Sequence, residues 1–163
     1  MKPTHLKSKK KFSPSIMVWG AIRSDGRRVL LRTNDTIDSL EYQRVLEDGL
    51  PLIYNHRFTM QQDGARCHTY RFTMVHFQQK TFRLLLDWGA QSLDLNVIEH
   101  MWSIWKKELE KKNSKTKYEI YNAAKDIWEL IPYQTIRKLF ESLPSRTEAV
   151  VNARGGNTKY WFC

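Results

Sequence analysis

Two carboxylates stand out by where they fall. Asp63 ends the run Phe58-Thr59-Met60-Gln61-Gln62-Asp63 and is followed at once by Gly64, and Glu99 falls in Asn96-Val97-Ile98-Glu99-His100-Met101-Trp102. An apolar/polar alternation ending in an acid and a glycine reads as a strand that delivers a carboxylate to its C-terminal tip, the edge on which open α/β sheets gather functional groups. An acid in the first turn of a helix is stabilised by the helix dipole. Two carboxylates on neighbouring rigid elements can hold Mg²⁺ or Mn²⁺, a hard cation that takes few carboxylates plus phosphate oxygens. A pair of such ions about 4 Å apart activates water and stabilises the leaving oxygen of a phosphodiester. By spacing alone the pair is a weak signal, since a surface acid at a strand end and a helix N-terminal glutamate are both commonplace.

The flanking sequence predicts the elements that must position them. Ser15–Ile22 is a nearly continuous apolar run, as in a buried strand; Ser24-Asp25-Gly26 signals a turn; and Arg28–Arg32 returns, which together read as a hairpin. Asp38-Ser39-Leu40-Glu41 has capping-box form with Asp as the cap. Tyr42, Val45, Leu46 and Gly49 then share one helix face, and Leu50-Pro51 is expected to end that helix. Beyond Asp63, Thr69 is placed to cap a helix carrying Tyr70, Met74 and Phe77, and Thr81–Leu86 reads as a strand. Strand, helix, strand is the grammar of a parallel βαβ pair.

From Ile98 onward, Met101, Trp102, Trp105 and Leu109 hold helical spacing, and Lys111–Lys115 reads as a basic loop. Trp102 and Trp105 are at core spacing, either as helix-to-sheet anchors or as base-stacking groups. Two amphipathic helices follow, one with Ile120, Ala124, Ile127 and Ile131 ended by Pro132, the other with Ile136, Leu139, Phe140 and Leu143 ended by Pro144. A last short helix is expected over Ser145–Ala153, stopped by Gly155-Gly156. The fold class is therefore α/β, with strands first and helices last.

The chain has 163 residues, 41% of them hydrophobic, enough for one domain with its own core. Its 27 Lys and Arg against 17 Asp and Glu leave a formal charge of +10. Such a balance favours a polyanionic partner, since each phosphate neutralised releases condensed counterions; it also fits a protein that is merely basic. The candidate phosphate contacts are Lys9, Lys10 and Lys11 in a basic flexible arm over 1–14, His68, and Lys106 and Lys107 at the head of a basic stretch running to Lys117. Each is also at home on a solvated face or in a frayed terminus, and His68 in a loop packed against Cys67. Cys67 and Cys163 form no CxxC, and Cys67, His68, His76 and His100 have no clean zinc spacing. No apolar run reaches membrane length and no charged-then-apolar leader opens the chain, so a soluble intracellular protein without membrane association is expected.

The wording around the two acids is specific. Gln61-Gln62-Asp63-Gly64-Ala65-Arg66-Cys67-His68-Thr69 resembles the "QQDNAPCHT" block of Tc/mariner-type DDE transposases. The stretch from Gln91 through Glu99 to Trp102 resembles their "QSPDLNPIENLW". Ser15–Gly20 resembles "SVMVWG", and Ala153–Tyr160 resembles "AKGGHTKY". Four blocks in the family's order cover nearly the whole chain. The resemblance implies an RNase H-like mixed sheet flanked by helices with a helical C-terminal part, and cut-and-paste transposition in which metal-dependent cleavage precedes strand transfer. It further implies Mg²⁺ or Mn²⁺ as cofactor, transposon ends and target DNA as partners, and a nuclear location. Asp63 takes the position of the family's second catalytic carboxylate and Glu99 that of its third, at a gap one residue longer than the family's usual one.

Three departures accompany it. The family's first catalytic Asp lies on a strand upstream of the "VMVWG" block, and no residue before Ile16 is Asp or Glu. Asp25, at the expected hairpin tip, is poorly placed to substitute. The family's N-terminal helix-turn-helix is not in the sequence, and the two prolines of "PDLNP" are Leu93 and Val97, which removes a φ restraint ahead of Glu99. Residues 15–163 accordingly read as a partial, N-terminally truncated DDE catalytic domain lacking the family's first strand. One reading is a transposase-derived endonuclease and strand-transferase domain that is inactive alone. The other is a non-enzymatic DNA-binding or protein-interaction remnant, whose open sheet edge would favour a homodimer.

Overall fold

The computed structural model describes residues 14–160, except 81, 86–93, 155 and 157. Strands β1 (Val18–Ile22) and β2 (Arg28–Arg32) form an antiparallel hairpin with Trp19 opposite Leu31 and Ala21 opposite Val29. Gly26 turns it with φ +87, a value that favours glycine, and a Cβ there would also strike the Tyr133 ring. The helices are α1 (Ser39–Ile53), α2 (Arg66–Thr69), α3 (Arg71–Gln79), α4 (Val97–Glu110), α5 (Lys117–Leu130), α6 (Tyr133–Glu141) and α7 (Leu143–Asn152).

Strand alternation divides the core in two. On one face Trp19 and Val29 pack with Tyr42, Val45, Leu46, Leu50 and Ile53 of α1 and with Phe77. On the other, Leu30 packs with Val97 and Met101 of α4, Ala124 and Trp128 of α5, and Ile136 and Leu139 of α6. The hairpin is buried on both faces, which explains why β1 reads as a continuous apolar run. Two glycines make the close approaches possible. A Cβ at Gly20 would stand 2.6 Å from the Trp102 ring, and one at Gly49 would stand 2.4 Å from Trp19.

Asp38 caps α1 as expected, its Oδ1 accepting from the Glu41 N–H at 2.8 Å. Pro51 does not end α1. The helix continues to Ile53, because Leu50 and Ile53 are both buried and their burial outweighs the one backbone bond a proline forfeits. Pro144 likewise does not close a helix; it sits in the first turn of α7, where its missing N–H costs nothing. The last helix therefore starts at Leu143 rather than Ser145.

Glu41, 8% exposed, accepts from the Asn34 backbone N–H and side chain and from Arg44. These bonds, Arg44's first, hold its carboxyl at about 2, below the ordinary 4.5. A depressed carboxyl contributes stability above its unfolded value and loses it as pH falls through the folded one. The melting temperature should therefore fall steadily between pH 4.5 and about 2, and Glu41→Gln should flatten that slope. Equal slopes in both proteins would show that Glu41 is not the group responsible.

Among the described residues the two expected later strands meet in one parallel bridge, Met60 with Leu84; Thr81 and Leu86 lie outside the described residues. The Met60 N–H donates to the Arg83 carbonyl at 2.7 Å, and the Leu85 N–H to the Met60 carbonyl at 2.8 Å. The pairing is parallel with α2 and α3 between, in keeping with the βαβ expectation. Thr69 does not cap: its hydroxyl bonds back to the Ala65 carbonyl at 3.3 Å, and the helix breaks instead at extended Tyr70.

Candidate functional site

Asp63 lies three residues beyond the Met60 bridge, and its Oδ1 accepts from the Ala65 N–H at 3.0 Å, closing an Asx-type turn into α2. That turn brings His68 back onto the carboxylate, with Nδ1 2.6 Å from Asp63 Oδ1 but not aligned for a hydrogen bond. Beneath them is Tyr42 of α1, its ring centroid 4.3 Å from that of His68. The Tyr42 hydroxyl donates to Gln62 Oε1 at 2.7 Å, and Gln62 Nε2 donates to the His68 carbonyl at 3.3 Å. Burial pushes the Tyr42 phenol far up, so it stays a neutral donor.

Glu99 falls in the first turn of α4, its N–H donating to the Asn96 carbonyl at 3.1 Å. Asn96 also donates from Nδ2 to Glu99 Oε1 at 3.2 Å and accepts from Gln61 Nε2 at 3.4 Å. Gln61 thus ties the strand that carries Asp63 to the helix that carries Glu99. Burial, and after it the charge of Asp63, pushes the Glu99 carboxyl above its ordinary value. The Gln61–Asn96 contact brings the two segments together, and the direction of the Glu99 shift is that of two acids opposed in a partly dry setting, a state a cation would relieve. Two carboxylates beside an amide oxygen are a donor set suited to a hard divalent ion. Among the described residues no third Asp, Glu, His or Cys completes a metal-holding group.

Asp25 is committed elsewhere, bonded to Arg23 Nε at 2.8 Å and paired with Arg27. The Arg23 bonds hold its carboxyl below the usual carboxylate range. Lys106 and Lys107 are exposed on α4, while Lys9, Lys10 and Lys11 lie outside the described residues. Trp102 packs on Trp128 at 4.7 Å and Trp105 donates to the Ala124 carbonyl at 2.8 Å, so both anchor α4 to its neighbours. Burial, then the Arg146 charge, holds the His100 imidazole below its ordinary value. Asp94 lies two residues before Asn96, the N-cap of α4. It is buried and accepts from the Thr158 hydroxyl at 2.9 Å. The Gln61–Asn96 tie, the Tyr42 shelf and the Thr158 contact were not foreseen, because nothing in residue spacing marks side chains that meet across distant segments.

A hairpin buried between two helical layers, with one acid just beyond a parallel bridge and the other at a helix start, has counterparts among known proteins. No family model matches the chain. The Tc1 transposase of Caenorhabditis elegans is 34% identical over 150 residues, 90% of this chain and 55% of that protein. The catalytic domain of Mos1 mariner transposase superposes with a TM-score of 0.73 at 19% identity, over 88% of this chain and 76% of that one. The Mos1 strand transfer complex gives a TM-score of 0.76 at 17% identity, over 98% of this chain and 50% of that one. The same Mos1 domain solved with Mn or with Mg gives 0.70 at 18% identity, over 88% and 76% of the two chains.

The fold is thus the RNase H-like fold of a transposase catalytic domain. Over nine-tenths of its length the chain is similar to transposases of the Tc/mariner type, which supports a DDE domain of that type. It spans about half the length of the curated relatives it matches. Among the described residues no helix is long and apolar enough to cross a membrane.

Proposed function

We propose that this chain supplies Asp63 and Glu99 as the second and third carboxylates of a metal-dependent DNA cleavage and strand-transfer centre used in DNA transposition. The observation that carries the proposal is the Gln61–Asn96–Glu99 hydrogen-bond chain, which joins the segment bearing Asp63 to the helix start bearing Glu99; the raised Glu99 carboxyl is in keeping with it. When bound, Mg²⁺ or Mn²⁺ would supply charge to polarise a phosphodiester and acidify water. The protein's part is placement. Asn96 orients Glu99 Oε1, Gln61 joins the two segments, and the Ala65 N–H holds Asp63 Oδ1, with His68 stacked on Tyr42 beside it. Lys106 and Lys107, with Lys9, Lys10 and Lys11, take the DNA backbone. This reading places the protein in the nucleus, acting on transposon ends and target DNA, with a second copy as a further partner.

Two carboxylates alone leave the charge of the reacting phosphate incompletely neutralised, so the chain by itself is inactive until a third acid is supplied. The test incubates supercoiled plasmid with the chain and Mg²⁺ or Mn²⁺, beside Asp63→Ala and Glu99→Ala. Expected are DNA binding that weakens steeply with salt and no nicking. Replacing Lys106 and Lys107 by alanine should reduce the log–log salt slope by about 2. Nicking by the wild type that both substitutions abolish would overturn the inactivity; nicking that survives both would sink the assignment of Asp63 and Glu99. The second reading, a non-enzymatic DNA-binding or protein-interaction remnant, is favoured by the lack of a third donor among the described residues. It predicts DNA binding with no Mn²⁺ binding at all.

A further inference from the structure

We propose that the segment Thr158–Tyr160 is a positioning clamp for Glu99: by gripping the Asp94 turn it sets the divalent-cation affinity of the Asp63–Glu99 pair. The inference rests on the function proposed for that pair.

Asp94 is 4% exposed, and a carboxylate so deeply buried requires partners. Its Oδ2 accepts from Thr158 Oγ1 at 2.9 Å, and its backbone carbonyl accepts from Arg146 Nη1 at 2.8 Å. The two partners lie 64 and 52 residues away, so no local sequence preference could set this turn. Each partner is fixed in its own right. Arg146, also 4% exposed, donates from Nε to Ser142 Oγ at 2.8 Å, and its Cζ stands 4.8 Å from the centre of the Tyr160 ring. Thr158, 9% exposed, accepts from the Tyr160 N–H at 3.1 Å while donating to Asp94, which leaves its hydroxyl one orientation.

What this clamp holds is the entry to α4. Asn96, at the N-cap, makes no side-chain bond to the backbone of the first turn; its amide goes to Glu99 Oε1 and its oxygen to Gln61. A helix start without a side-chain cap takes its geometry from whatever fixes the preceding turn. Here that is Asp94, both of whose bonded oxygens are held by α7 and the segment beyond it. Thr158, Arg146 and Tyr160 are thus positioning residues, touching neither metal nor DNA, and Asp94 is an anchor rather than a ligand.

The test is Mn²⁺ titration of the full chain, followed by the EPR signal of the free ion, with melting curves alongside. Thr158→Val removes the hydroxyl at constant shape and should weaken Mn²⁺ binding about tenfold at temperatures far below melting, the size usual for outer-shell partners. Thr158→Ser should restore the wild-type value, and Asp94→Asn, which keeps an acceptor oxygen for Thr158, should stay close to it. Asp94→Asn losing as much affinity as Glu99→Gln would overturn the clamp by making Asp94 a ligand. A lowered melting temperature with unchanged Mn²⁺ affinity in Thr158→Val would overturn it by making the contact purely structural. If Thr158→Val does not fold, Ser142→Ala removes one bond from Arg146 and should lower affinity in the same direction; unchanged affinity there overturns the proposal. Mn²⁺ binding that depends on Glu99 and ignores Thr158 defeats this inference alone. Mn²⁺ binding equal in wild type, Asp63→Asn and Glu99→Gln defeats the proposed function as well.

Discussion

Replacing Glu99 by glutamine is expected to raise the melting temperature of the metal-free chain at neutral pH and to remove the stabilisation Mn²⁺ gives the wild type. The Glu99 carboxyl lies above its ordinary value because it is buried and faces Asp63. The folded state then holds the proton more tightly than the unfolded one, so charging Glu99 as pH rises costs stability, and that stability returns as pH falls through the folded value. Glutamine carries no such charge, and its Oε1 can still accept from Asn96 Nδ2 as Glu99 does at 3.2 Å. The variant's advantage should therefore vanish in acid. A ligand at a hundred times its Kd stabilises by about 2.7 kcal/mol, and without Glu99 most of that shift should be lost. Calorimetric melts with and without Mn²⁺, at neutral and acid pH, decide it. A variant that melts lower than wild type without metal, or that gains as much from Mn²⁺, would show that Glu99 is an ordinary surface acid.

The largest loss of stability should come from Trp128→Ala, at about 3–5 kcal/mol. Trp128 is fully buried, its ring 4.7 Å from that of Trp102 and pressed towards Gly20, where an added Cβ would lie 3.2 Å from its Cζ2. Total stabilities run to about 5–15 kcal/mol, so this one truncation would remove a large part of the margin. Trp128→Phe should cost far less, because the indole Nε1 is buried without a hydrogen-bond partner in the structure and its loss forfeits no bond. Urea titrations of the three proteins measure both effects. If phenylalanine cost as much as alanine, the N–H rather than the ring volume would be what matters.

What could be read in advance follows the range of the interactions concerned. The hairpin was legible because β-branched and apolar residues flank Ser24-Asp25-Gly26, all short-range information, and the same holds for the Asp38 cap. The helices from Val97 onward followed from apolar spacing, since each buries one face against a single layer. Failures arose where tertiary contact overrides a local signal. Pro51 lies inside α1 because Ile53 has a core position to fill. Thr69 fails to cap because its hydroxyl turns back to Ala65. The Phe58–Asp63 strand shrinks to one bridge: Phe58 is occupied under the Arg23 guanidinium at 4.7 Å, Gln62 is drawn to Tyr42, and Asp63 folds its own chain into a turn. The two acids were singled out from the words around them. The amides beside them meet through a contact between segments far apart in sequence.

The Met60–Leu84 bridge has a kinetic consequence. Among the described residues, the segment leading to Asp63 is joined to its neighbour by two backbone hydrogen bonds, whereas the β1–β2 ladder runs over five residue pairs. Elements with so few bonds open by local fluctuation, well below the cost of global unfolding. The Met60 and Leu85 amides should exchange with deuterated solvent long before those of β1 and β2. Because that bridge lies three residues before Asp63, their exchange rates clock how often the segment bearing Asp63 lifts away, a quantity that a bound cation or DNA is expected to slow.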